Sequence, residues 1–127
     1  MLLQMLAICV GACCGALARW ALGLWLSQPG AFMPWGTLAA NLIGGYLIGL
    51  CVGVFQAMPE LSPLWRLALV TGFLGALTTF SSFSAEVVGM LLQQRYSTAL
   101  GTAALHLLGS LLLTVAGIKT AAFLIAR

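Results

Sequence analysis

Charge is what this sequence has least of. Of its 127 residues only five are Lys or Arg and two are Glu, and there is no Asp at all. A soluble domain covers itself with about a quarter charged residues, so no water-facing surface can be built here and a soluble enzyme is excluded. The net charge of +3 comes from scattered cations without a basic run, which excludes a surface that tracks phosphates and with it a nucleic-acid partner. Catalytic groups are equally scarce. The one histidine, His106, is remote in sequence from the serines near position 80, and the only carboxylates are Glu60 and Glu86. No oriented nucleophile, base and acid can be assembled from them, so no enzyme is read here. Cys9, Cys13, Cys14 and Cys51 lack zinc-type spacing and a nearby His or carboxylate, and they read as small apolar residues.

What remains is apolar: 62% of residues are hydrophobic and the mean hydropathy is +1.12. Four long apolar runs take up nearly the whole chain, each able to cross a hydrocarbon layer that needs about 20 helical residues. The spans are placed at Leu2 to Leu26, Trp35 to Phe55, Leu64 to Leu92 and Thr98 to Ile125. Between them stand the turn formers Ser27 to Gly30, the stretch around Pro59 and Pro63, and Gln93 to Arg95. The expectation is an all-α membrane protein, a single transmembrane domain of four antiparallel helices over residues 1–127. Ala16-Leu17-Ala18 resembles a signal-peptide cleavage site, yet no cation precedes the first run, so that span is expected to stay uncleaved. Trp20, Trp25, Trp35 and Trp65 fall toward the span ends, at the depth of lipid headgroups.

Cations beside the spans normally set orientation. Here Arg66, Lys119 and Arg127 fall on one side and Arg19 and Arg95 on the other, a balance that predicts insertion in both orientations and pairing of inverted copies. Four packed helices enclose no lumen, so a pathway is expected between subunits. Gly11 and Gly15 in the first span, and Gly45, Gly49 and Gly53 in the second, form small-residue ridges. Such ridges serve packing within a subunit or between subunits.

Polar side chains inside the spans mark the place to look for function, because hydrocarbon tolerates them only beside a partner or a wet path. The densest group runs through Thr78, Thr79, Ser81, Ser82 and Ser84, just after Gly72 and Gly75. Hydroxyls that bond backbone carbonyls, following glycines, predict a break in the third helix near Gly75 to Thr79. Irregular backbone at that depth lines a cavity, and its freed carbonyls can hold a cation. Phe80 and Phe83, three apart, share a helix face; ring edges are electropositive and suit an anion, although two such rings also serve plain packing. Asn41 adds an amide donor, or a bond between helices.

The strings Gly36-Thr37-Leu38-Ala39-Ala40-Asn41-Leu42-Ile43-Gly44 and Gly72-Phe73-Leu74-Gly75-Ala76-Leu77-Thr78-Thr79-Phe80-Ser81-Ser82-Phe83-Ser84-Ala85-Glu86, with Gly11, Gly15, Arg19 and Gly109-Ser110, closely resemble the CrcB/Fluc fluoride channel family. The resemblance covers all four spans. It implies an antiparallel, dual-topology homodimer in the inner membrane of a bacterium, through which fluoride leaves the cytoplasm passively along two pathways. It also implies roles. Asn41 would bond fluoride, Phe80 and Phe83 would form a phenylalanine box across the dimer, and Thr79, Ser81, Ser82, Ser110 and Thr114 would supply hydroxyls beside it. Glu86 would stand at one pore end and Arg19 near a vestibule, while the carbonyls of Gly75 and Thr78 would hold a structural sodium ion (Na+) on the dimer axis. His106 departs from the family pattern of a small polar or amide residue, and reads as either a vestibule group or a hydrogen-bonded packing residue. The competing reading is a proton-coupled exporter of the small multidrug-resistance type. That chemistry needs an acid in the first span, and this chain has none there.

Overall fold

A computed structural model describes all residues, Met1–Arg127. Four apolar helical spans cross the molecule. Helix α1 is Leu2–Leu26 and α2 is Trp35–Ala57. The third span is two helices: α3, residues 63–77, and α4, Phe80–Leu92. Helix α5, Tyr96–Ile125, closes the bundle. The turns sit where the sequence places Gly and Pro. Gly30 takes φ +79° in the first connection, a left-handed conformation that costs glycine no Cβ clash. Pro63 opens α3, where its missing N–H is no loss.

Close backbone approach organises the bundle. A Cβ at Gly45 would lie 3.0 Å from the Ser110 carbonyl oxygen, one at Gly53 would lie 2.5 Å from the Ala121 Cβ, and one at Gly49 would run into the Thr114 carbonyl. Gly117 returns the fit against Tyr46 and Leu50. The α2 glycine ridge is therefore a seam with α5 within the chain. The α1 ridge has the same use: Gly11 and Gly15 leave room for the backbone of Ala68 and Phe73 in α3. In that stretch, Leu67–Leu74, the helix widens from α to π geometry. Such wide turns are rare and usually brief; here they press peptide groups into the glycine notch of α1.

The third span breaks at Thr78 and Thr79, whose ψ values of 153° and 113° are extended. This is the C-terminal end of the predicted interval. Gly75 itself remains helical, with φ −61° and ψ −32°. Only 19 of 127 residues are buried within the chain, so most of its apolar surface must be covered by lipid or by another chain.

Candidate functional site

A helix break releases peptide groups that hydrocarbon cannot satisfy. Asn41 takes up both groups of Thr79: its Oδ1 accepts the Thr79 N–H at 2.8 Å, and its Nδ2 donates to the Thr79 carbonyl at 3.1 Å. The amide thus stands in for a neighbouring peptide. Its second N–H meets His106 Nδ1 at 3.0 Å. The restart of the helix is capped by Thr79, whose Oγ1 accepts the Ser82 N–H at 3.1 Å, as N-cap hydroxyls commonly do. Oγ1 also lies 3.1 Å from Ser82 Oγ and 3.3 Å from Ser81 Oγ. On the other side of the break, Thr78 Oγ1 donates to the Leu74 carbonyl at 2.8 Å. Its methyl group fills the notch at Gly44 of α2.

Beside the break lies a partly open cavity of about 510 Å³. Asn41, Gly75, Thr78, Thr79, Phe80, Phe83, Ser110 and Thr114 all border it, as does His106. The Phe80 and Phe83 ring centroids are 5.5 Å apart at 60°, a tilted pair that turns ring edge toward ring face. Phe83 in turn stacks on His106, with centroids 4.6 Å apart. Phe80 is 79% exposed, its ring left largely uncovered by the chain. Thr114 Oγ1 donates to the carbonyls of Gly45 and Ser110 at 2.9 and 2.8 Å, so its hydroxyl hydrogen serves the α2–α5 seam.

The other residues singled out in the sequence fall outside the cavity lining. Ser81 and Ser82 belong to the cap. Glu86, one turn beyond Phe83, accepts a hydrogen bond from the Thr37 hydroxyl through Oε1, and its Oε2 is buried without a partner. Arg19 is half-buried on α1. Two features escape a reading of the sequence. Thr37 is the partner of Glu86 across a separation of 49 residues, and the signal for it was a hydroxyl at membrane depth in the same string as Asn41. Arg95 reaches back to the Phe32 carbonyl and lies over its ring, 5.6 Å from the centroid. That contact ties together the two connections on one side of the bundle.

Donor groups, ring edges and a broken helix around one cavity suit a small ion that has lost water. Comparison with known proteins gives this architecture its relatives. Residues 6–118 match the family model described as CrcB-like protein, Camphor Resistance (CrcB). The Fluoride-specific ion channel FluC of Albidiferax ferrireducens is 75% identical over 126 residues, 99% of this chain and 96% of that protein. The protein of the same name from Variovorax paradoxus is 67% identical over 94% of this chain and 95% of its own length. The one from Paracidovorax citrulli is 60% identical over the full length of both. A match that runs from the first span into the last, with relatives alike from end to end, makes this chain a member of the CrcB-like family.

Proposed function

We propose that the protein is a passive, fluoride-selective channel of the bacterial inner membrane, formed by two antiparallel copies and exporting fluoride from the cytoplasm. The observation that carries this reading is the cavity at the helix break, where hydroxyl, imidazole and phenylalanine groups meet at membrane depth in a relative of proteins named fluoride-specific channels. Fluoride holds water tightly. A selective path must therefore replace that water with several donors, in a space where the larger chloride gains less. The Phe80 and Phe83 edges and the Ser110 hydroxyl are suited to that task.

Two features favour a dimer. The cavity is partly open, and Phe80, which lines it, has most of its surface uncovered. A two-fold axis there would hand each Phe80 to the other subunit and give two pathways. A sodium ion on that axis fits the same backbone. The N–H groups that would close helical bonds to the Gly75 and Thr78 carbonyls, those of Thr79 and Ser82, bond instead to Asn41 and to the Thr79 hydroxyl. Both carbonyls are thus available to a cation that takes oxygen ligands, and its charge would lower the cost of an anion nearby.

Purified protein in liposomes loaded with fluoride or chloride gives the test, with release read by ion-selective electrodes. The expected result is rapid fluoride release that requires a counter-ion route, negligible chloride release, and loss of flux in Phe80→Ile. Verified dimers that release no fluoride would overturn the reading, and proton exchange driven by a cationic drug would point to an exporter. Replacing sodium with a large organic cation on both sides is expected to weaken flux or assembly. Unchanged flux and assembly would remove the ion from the proposal.

A further inference from the structure

A second cavity, partly open and of about 250 Å³, lies where the end of α2 meets the start of α3. Leu50, Val54 and Phe55 of α2, Leu61 of the connection, and Trp65 and Leu69 of α3 are among its lining, and every lining residue is hydrophobic. None of them borders the cavity at the helix break. From Leu50 to Phe55 the groove follows α2 for five residues, about 8 Å at 1.5 Å per residue. Beside it stands Arg66, exposed, with its guanidinium carbon 5.3 Å from the centroid of the Phe55 ring that lines the groove. A cation over a ring face is held there by the ring quadrupole. Of the Lys and Arg side chains only that of Arg95 donates a hydrogen bond within the chain. All the N–H groups of Arg66 are therefore free, and a guanidinium presents five in a planar fork that fits phosphate oxygens. Arg66 lies in the first turn of its span, next to Trp65, at the depth of lipid headgroups.

We propose that this groove holds one anionic phospholipid, with an acyl chain along Leu50, Val54 and Leu69 and its phosphate on the Arg66 guanidinium. Seven apolar side chains offer no bond to water. A second copy of the chain would need a far larger face, about 20–30 residues a side in a stable interface. Apolar surface ending at an unpaired cation is instead the complement of a chain that ends in a phosphate. Lys119 and Arg127 fall at the same end of the bundle, where Glu60 is the only carboxylate side chain, so a headgroup of net negative charge is preferred over a zwitterionic one. The site is independent of which ion the protein passes. If two copies are inverted, each leaflet supplies one lipid.

Purified protein in detergent with equal amounts of phosphatidylglycerol and phosphatidylcholine of identical chains gives the test, with bound lipids counted by native mass spectrometry. The expected result is a preference for phosphatidylglycerol of about fivefold, as one cation beside an anionic headgroup supports. It should fall to parity in Arg66→Gln and return in Arg66→Lys. Leu61→Trp, which fills the groove from the connection, is expected to remove the preference with the cation in place. In vesicles, phosphatidylglycerol carrying a photoreactive group in its acyl chain should label residues 50–55 and 61–69. Equal retention of the two lipids, an unchanged preference in Arg66→Gln, or labelling confined to other surfaces would each overturn the assignment. Labelling of these residues in dissociated monomers and not in dimers would give the groove to a second copy instead.

Discussion

Thr79 is bonded in three ways at once: its N–H and carbonyl go to Asn41, and its hydroxyl caps α4. Thr79→Val keeps the shape and removes the cap, and is expected to cost about 1 kcal/mol, the usual worth of such a hydroxyl. Thr79→Ser should stay near wild type, with thermal unfolding in detergent as the measurement. Gly75 offers a second test. Within the chain a Cβ there meets nothing closer than the Val70 carbonyl oxygen at 3.6 Å, so Gly75→Ala should fold as a single chain. If the proposed dimer axis and its cation lie beside Gly75, the alanine variant should fail to dimerise, as size-exclusion chromatography would show. An alanine variant that dimerises fully would place the axis elsewhere. At this scale the sequence is readable by type and not by pairing. The run from Thr78 to Ser84 declares a break, and Asn41 declares a polar need. That the amide meets Thr79 and His106 depends on bringing together residues 38 and 65 positions apart. The resemblance to fluoride channels gives Asn41 a bond to the anion, and what the sequence does not show is that its amide also bonds the Thr79 backbone and His106.

The α2–α5 seam depends on glycine because what lies opposite is backbone, which cannot turn aside as a side chain can. Gly49→Ala and Gly117→Ala should each force the helices apart and lose most of the folded protein. Gly101→Ala is the control: a Cβ there meets nothing within 4 Å, and the change should leave yield and unfolding temperature within error. The four spans were legible from apolar length and turn residues. The break was legible too, although it falls at Thr78 and Thr79 and leaves Gly75 helical. The wide turns over Leu67–Leu74 were not. An apolar run of that kind has no polar face whose spacing could distinguish π from α geometry, and the widening answers to the notch in α1, a tertiary fact.

For the molecule as a whole, five cations divided almost evenly between two sides do little to choose an orientation. A single cysteine introduced at Ser62 or Gln94 should react with a membrane-impermeant reagent from both sides of the membrane if both orientations form. Labelling from one side only would end the antiparallel proposal. Two added lysines at Gln93 and Gln94 should bias insertion one way and abolish flux. Co-expression with a variant biased the other way, for example by Lys at Glu60 and Leu61, should restore it. One further consequence comes from the way the break is held. The least regular point of the backbone is also its most firmly moored, tied to α2 by Asn41 and through it to α5 by His106. A carrier must rock its substrate site from one face of the membrane to the other, and a knot of three elements at the middle of the bundle resists that motion. Ions crossing here would meet a stationary wall, so the speed of passage would follow from how readily they exchange water for its donors, with no hinge to wait for.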